Sequence, residues 1–407
     1  MAWWGSRLDV GVSLTVRALF VAPYLPTPGS GGRTRLLNLM SRLSQRHDVS
    51  LVAFTSAEQQ AHENPYPGIV LAPPPKRARP GGPTGAAVFY REKLQRLPAF
   101  VSWMDSPEMH AAVRDAVERF HPDVVQVETT EMGQYLGDIP AGPARVLDLQ
   151  DVASRWFGRV RRHGDTRKQR ALMGLEFLKT RAYETRCARI PEAVLVSSAM
   201  DGVFLRGLTG VDAVEVPNGV DVASFSPMPE VAEEPGVILF VGPMTYDANL
   251  DGMRWFAREV LPLVRREEPG ARLDLVGTAA TESFGDGVRV LGRVEDVRPH
   301  LARAPVSIVP VRVGTGTRYK ILEALSMSRA VVSTTVGAEG LGLADDEHLL
   351  LGDEPEEFAR AVVTLLRDPA RRARLGSAGR AHIAARYDWG SIVGRVEEVW
   401  DRVASTK

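Results

Sequence analysis

Cysteine is almost absent. Cys187 is the one cysteine in 407 residues, so neither a disulfide framework nor a cysteine-ligated zinc site can form within one chain. Such scarcity fits a reducing compartment, and the cytosol is the expected location. Long hydrophobic runs are missing as well. No apolar stretch reaches the roughly 18 residues of a membrane span, so no transmembrane helix is expected. The opening MAWWGSRLDVGVSLTV has no basic start, long apolar core or small-residue cleavage site, and does not read as a signal peptide. The first strand is expected near Thr15, with a loose extension before it. An excess of either charge is lacking: the formal net charge is +0, which argues against general nucleic-acid binding. What remains is an ordinary globular composition, 44% hydrophobic and 25% charged, at a length that suits two domains.

Short apolar runs alternate with amphipathic stretches, the rhythm of parallel α/β sheets. Residues 16–24 read as a strand, closed by Pro23, Pro26 and Pro28. Gly29-Ser30-Gly31-Gly32 then opens a helix with Leu36, Leu37, Met40 and Leu43 on one face, and residues 49–54 form the next strand. This βαβ unit carries its glycine loop at the carboxyl end of its first strand, where open parallel sheets bind ligands. The spacing is not Gly-x-Gly-x-x-Gly, and no acid ends the second strand, SLVAFTS. The nicotinamide fingerprint is therefore absent, which disfavours an oxidoreductase. The proline- and glycine-rich stretch 72–84 carries Lys76, Arg77 and Arg79; it is either a solvated loop or a basic lip for an anionic acceptor or membrane surface.

A helix at 113–120 precedes a strand at 124–127, whose end points Glu128 into the cleft region; a strand at 146–149 ends in Gln150-Asp151. Both acids serve either as caps and polar lining or as functional groups. Residues 166–189 form a long helix with Leu172, Leu175, Leu178 and Ala182 as an apolar stripe. Packing on its own sheet is expected; its basic residues leave anionic lipid as the alternative. Strands at 193–197, with a helix opened by Ser198-x-x-Asp201, and at 214–216 complete this half. After an acidic, proline-bearing linker at 229–235 the rhythm repeats without visible identity. Strands are expected at 237–241, 272–276, 288–291, 306–311, 330–334 and 348–351, a helix at 250–264 preceded by Asn249, a short one at 297–302, and closing helices near 356–367, 370–386 and 389–404. Two such halves imply an α/β protein with a cleft between its domains.

The densest pattern is residues 308–324, IVPVRVGTGTRYKILEA. The apolar strand breaks at Gly314-Thr315-Gly316-Thr317 and restarts as a helix with Tyr319, Leu322 and Ala324 facing inward. Glycines there let the backbone approach a ligand, and the first helical turn offers unpaired N–H groups and the positive dipole end. Arg318 and Lys320 oppose that dipole, a conflict that an anion in the mouth resolves. Glu323, about one turn past Lys320, suits a ribose diol. Together these residues read as a nucleoside diphosphate pocket; the alternative is a solvated strand-to-helix connection with a chance basic pair.

From residue 16 to residue 400 the chain resembles the retaining, nucleotide-sugar-dependent glycosyltransferases of the GT-B fold, family four. The resemblance rests on Gly31-Gly32, Pro217-Asn-Gly-Val-Asp221, Phe240-Val-Gly242, the run from Leu291-Gly292-Arg293, Gly316-Thr-Arg-Tyr-Lys320-Ile-Leu-Glu323 and Tyr387-Asp-Trp389, in that order. It implies two Rossmann-like domains facing across a deep cleft. An acceptor domain at 1–227 is joined by a returning helix at 387–407, and a nucleotide-sugar domain lies at 228–386. It also implies that Lys320 and Arg318 stabilise the leaving diphosphate while Glu323 contacts the ribose. Gly31, Gly32, Gly242, Gly314, Thr315, Gly316 and Thr317 line the donor site, and Glu128 is a further catalytic candidate. The donor sugar nucleotide is a substrate, and neither cofactor nor metal is expected. The acceptor would be a glycan, a lipid-linked molecule or a small molecule, with peripheral contact at the inner membrane face left open.

Three positions depart from the family's pattern. Thr315 replaces the first of two glutamates separated by seven intervening residues, Pro243 stands where many members have arginine, and the strand holding Gln126 and Glu128 ends without histidine. A non-catalytic glycosyltransferase-like subunit and a GT-B sugar-nucleotide epimerase are the alternatives.

Overall fold

The computed structural model describes residues 15–29, 31–55, 66–71, 96–161, 166–278, 283–314 and 318–405. The leading extension, the basic stretch with Lys76, Arg77 and Arg79, and Thr315, Gly316 and Thr317 lie outside the described residues.

The first domain is built on seven strands: β1 (Arg17–Ala22), β2 (Asp48–Phe54), β3 (Gly68–Leu71), β4 (Val124–Glu128), β5 (Ala144–Asp148), β6 (Ala193–Val196) and β7 (Ala213–Glu215). All pair in parallel, in the order β3-β2-β1-β4-β5-β6-β7. The second has six: β8 (Val237–Val241), β9 (Arg272–Val276), β10 (Val288–Gly292), β11 (Val306–Val309), β12 (Ala330–Ser333) and β13 (Leu350–Leu351). These are also parallel, in the order β10-β9-β8-β11-β12-β13.

The continuous apolar runs exist because both faces of each sheet are covered. In β1, Phe20 and Ala22 enter one core while Leu19 and Val21 enter the other, the period of two that a strand imposes. β8 divides likewise, with Ile238 and Phe240 on one side and Val237 and Leu239 on the other. Strand order reverses beside β1 and beside β8, which opens a crevice at the carboxyl ends in each sheet.

The last helix, Trp389–Ala404, leaves the second domain and buries Trp389, Ile392, Val396 and Trp400 in the first-domain core with Phe20 and Leu36. The Trp400 indole donates to Gln126 Oε1 at 2.9 Å. The two chain crossings pair with each other: Val220 N donates to the Tyr387 carbonyl at 2.8 Å and Trp389 N to the Val220 carbonyl at 3.3 Å. A side chain at Gly219 would meet Ile392 at 2.6 Å and Trp389 at 2.8 Å, so the Pro-Asn-Gly exit needs its glycine for close approach.

Several expectations shift, each for a local reason. β11 stops at Val309 instead of residue 311, because Pro310 has no N–H for a ladder. The helix expected at 250–264 starts at Asp247, which puts Asn249 inside it. It passes through a π-helical stretch, Phe256–Val260, before Pro262 in Leu261–Glu267, whose missing N–H breaks the regular bonding. The edge strand β3, the short helices Ala99–Ser102 and Ala153–Val160, and a 3₁₀ turn at Glu131–Asp138 carry too little periodicity to be read from sequence.

The long helix, Arg167–Cys187, reverses its expected face. Glu176, Thr180, Tyr183, Glu184 and Cys187 point inward, whereas Leu175, Leu178 and Ala182 are exposed. The inward acids cap other helices. The Ala99 N–H donates to Glu176 at 3.1 Å and the Ser154 N–H to Glu184 at 3.3 Å. Both short helices lack a side-chain cap of their own, so these carboxylates satisfy otherwise orphaned donors. Among the described residues, no helix is long and apolar enough to cross a membrane.

Candidate functional site

A cavity of about 660 Å³ lies between the domains, walled on one side by Gly31, Gly32, Gln150 and Asp151. Gly242, Pro243, Asn249, Arg318, Tyr319, Lys320 and Glu323 wall the other. The fold thus brings Gly31, Gly32, Gly242, Arg318, Lys320 and Glu323 to one space, although they come from three chain segments. Gly314 is buried just behind: a side chain there would run into the Arg318 guanidinium, and its carbonyl accepts from Arg159.

Helix Tyr319–Ser326 sets the basic pair. Arg318 is its N-cap residue and Lys320 its second residue, so both stand where the backbone presents positive charge. Lys320 Nζ donates to Asn249 Oδ1 at 2.6 Å and sits 4.5 Å from the centre of the Phe240 ring. Enclosure in the cleft, with Arg318 repelling it, pulls the Lys320 ammonium down to about 7, against an opposing pull from Glu323. Enclosure pushes the Glu323 carboxyl up to about 7, and Lys320 opposes that shift. Burial also pulls the Arg318 guanidinium down, while Tyr246, Asp151 and Glu339 hold it up. Two cations enclosed at a helix N-terminus are costly on their own and become favourable when an anion arrives.

Asn249 orients Lys320 from a fixed position, since its amide donates to the Pro243 carbonyl at 2.8 Å. A side chain at Gly242 would stand 2.9 Å from Asn249 Nδ2. Gly242→Ala is therefore expected to push Asn249 aside and weaken nucleoside diphosphate affinity about 3- to 10-fold, the equivalent of one hydrogen bond. Calorimetric titration checks this; an unchanged dissociation constant in the folded variant rejects the role of Asn249.

Tyr319 corrects an expectation. It does not enter its own domain's core; its hydroxyl donates to the Gly31 carbonyl at 3.1 Å, and its ring packs on the first domain. A second contact also joins the domains: Glu339 accepts from Arg155 at 3.0 Å and from Arg159 at 2.6 Å. Those arginines hold the Glu339 carboxyl below its ordinary range although burial opposes them.

Glu128 is also displaced from its expected position. It has no exposed surface and does not line the cavity. Gln126 and Gln150 donate to it at 2.7 and 3.0 Å, and burial together with Asp148 pushes it up to about 8. Beside it, Arg35 and Asp148 form a fully buried ion pair, with bonds of 2.9 and 2.7 Å. Arg35 also donates to the Pro217 carbonyl at 3.0 Å and to Asn218 at 3.2 Å. This network ties the first helix, β5 and the exit motif into the cavity floor. Thr129 and Gln150, just beyond β4 and β5, have φ of 73° and 57°, a strained region for non-glycine residues that clusters at functional sites.

Sequence reading missed Arg35, Asp148 and Tyr319 as site-forming residues. A lone arginine on a helix carries no local sign of burial, and its partner lies 113 residues away.

Residues 235–368 match the family model described as Glycosyl transferases group 1. Phosphatidyl-myo-inositol mannosyltransferase of Mycobacterium leprae is 32% identical over 211 residues, covering 48% of this chain and 55% of that protein. D-inositol 3-phosphate glycosyltransferase of Kineococcus radiotolerans is 31% identical over 244 residues, 50% of this chain and 55% of that one. The chain thus spans about half the length of the curated relatives it matches. Among solved structures, sucrose-phosphate synthase of Thermosynechococcus elongatus superposes with a TM-score of 0.69 at 14% identity, covering 96% of this chain and 100% of that one. HepE of Anabaena, solved with UDP and glucose, gives 0.69 at 16% identity, covering 95% and 99%. At such identity these two speak for the fold alone. The chain has the GT-B fold, and its residues 235–368 belong to glycosyl transferases group 1.

Proposed function

We propose that this protein is a retaining glycosyltransferase that moves a sugar from a nucleoside diphosphate sugar to an acceptor hydroxyl. The observation that carries the reading is the convergence of Arg318 and Lys320 at one helix N-terminus, in a cavity faced by Gly31 and Gly32. Charge that develops on a departing diphosphate meets two preset cations in an enclosed space, where such stabilisation is strongest. Glu323, farther along the helix, takes the ribose diol. The acceptor oxygen bonds to the anomeric carbon from the face that the diphosphate leaves. The hydroxyl proton departs with the diphosphate, so configuration is retained. Glu128 acts from behind the wall as a positioning residue, through Gln150.

The relatives' names support this reading. One, from Corynebacterium glutamicum, is a GDP-mannose-dependent mannosyltransferase. The test is incubation with UDP- and GDP-sugars and a panel of alcohols in EDTA, with the anomeric configuration read by NMR. Retention without a divalent ion is expected. An inverted product, or activity lost in EDTA and restored by a divalent ion, overturns the reading. A non-catalytic subunit would lack even slow donor hydrolysis.

A further inference from the structure

A second cavity, of about 560 Å³, opens from the first domain onto the same seam. The two share Gln150, Asp151 and Tyr246 as common wall. If the first cavity takes the donor, the acceptor must reach the seam from this side, because transfer requires near-contact of the reacting atoms.

The chamber's chemistry differs from the donor side. Phe100, Trp156 and Phe157 supply its body, with ring centroids 5.9 Å apart for Phe100–Phe157 and 4.9 Å for Trp156–Phe157. Trp156 remains 36% exposed there, a large apolar surface without cover. The ionisable carboxyls of its wall are Glu131 and Asp151, and none of its described lining residues is Lys, Arg or His. Burial pushes Glu131 upward, and burial with Asp201 nearby does the same for Asp151. A phosphorylated acceptor would bring an anion to two carboxyls with no cation among the described lining residues to receive it. A flat apolar body would instead stack on the rings, as it does in apolar pockets of this size with a few convergent polar groups.

We propose that this chamber is the acceptor site and that its acceptor is an uncharged aromatic or polycyclic alcohol or phenol, with the hydroxyl presented at the Gln150–Asp151 seam. The proposal rests on the glycosyltransferase reading and narrows it away from the inositol phosphates named for the relatives.

The probes are 2-naphthol as a neutral phenol, myo-inositol 1-phosphate as an anionic polyol and phosphatidylinositol vesicles. Each is titrated against the full chain saturated with UDP or GDP, whichever binds. 2-Naphthol is expected to bind while the two phosphorylated probes do not. Trp156→Ala should weaken 2-naphthol about 5- to 10-fold, the worth of one aromatic contact. Trp156→Phe should restore most of that loss, and nucleoside diphosphate affinity should stay unchanged, which also reports that the variants fold. Tighter binding of either phosphorylated probe than of 2-naphthol overturns the proposal, as does 2-naphthol binding indifferent to Trp156→Ala. If neither nucleotide binds, the glycosyltransferase reading itself fails. If a nucleotide binds and 2-naphthol does not, the acceptor assignment alone fails.

Discussion

Lys320→Ala is expected to lower nucleoside diphosphate affinity and turnover about 10- to 100-fold, the range of a charge-assisted hydrogen bond of about 1.5–3 kcal/mol. Fold stability should not fall with it, because the wild-type ammonium is enclosed at an unfavourable position and, among the described residues, is held by the neutral acceptor Asn249. Arg318→Ala should act in the same direction, and the double variant should fall short of additivity, since both cations grip one group. The same enclosure gives a pH dependence. Lys320 sits at about 7 in the free protein, and a bound diphosphate would lift it. Binding therefore takes up a proton above neutrality, and affinity should fall as pH rises past about 7, by about tenfold per unit at most. The free protein behaves oppositely. Its folded lysine releases a proton that the unfolded chain keeps until about 10.4, so Lys320 makes stability rise with pH between about 7 and that value. Calorimetry from pH 6.5 to 8.5 in buffers of different ionisation enthalpy separates these effects. Flat affinity across that range, with no proton uptake, would remove Lys320 from the anion site.

Features carried by neighbouring residues were legible in the sequence. The strands beside β1 and β8 were readable because parallel sheets bury both faces and leave unbroken apolar runs. The basic pair and Glu323 were readable because one helical turn sets their spacing. What failed depends on contacts distant in sequence. The stripe Leu172–Leu175–Leu178 has helical period, and periodicity alone assigns it inward. The acids win because Ala99 and Ser154 arrive with uncapped N–H groups. Tyr319 reads as a core aromatic until a second domain presents Gly31 to its hydroxyl. Glu128 sits at a strand end, the usual place for a functional carboxylate, but two glutamines and the neighbouring ion pair seal it below the cavity.

That sealed network carries the largest expected effect on stability. Arg35 and Asp148 have no exposed side-chain surface, so Asp148→Ala would leave a guanidinium buried without its main partner. Breaking a buried pair in this way costs about 3–5 kcal/mol. For a domain of this size that is a fall of roughly 10 °C in midpoint. Glu128 modifies the outcome. Its carboxyl is held up at about 8 by burial and by repulsion from Asp148, while Arg35 favours its ionised form. With Asp148 gone the repulsion disappears, and Glu128 can ionise and replace the lost charge. The sign follows: Asp148→Ala should be least harmful above the pH at which Glu128 ionises and most harmful in acid, where Glu128 holds its proton. Asp148→Ala/Glu128→Gln should lose that rescue and stay at the full deficit at every pH. Arg35→Met/Asp148→Leu removes both charges and should recover part of the stability. The recovery is incomplete, because Pro217 and Asn218 lose the donor that Arg35 supplied. Urea denaturation of the wild type and these three variants at pH 5.5 and 8.5 measures each claim. A loss under about 1 kcal/mol in Asp148→Ala, or an identical loss at both pH values, would show that the pair does not hold the cavity floor.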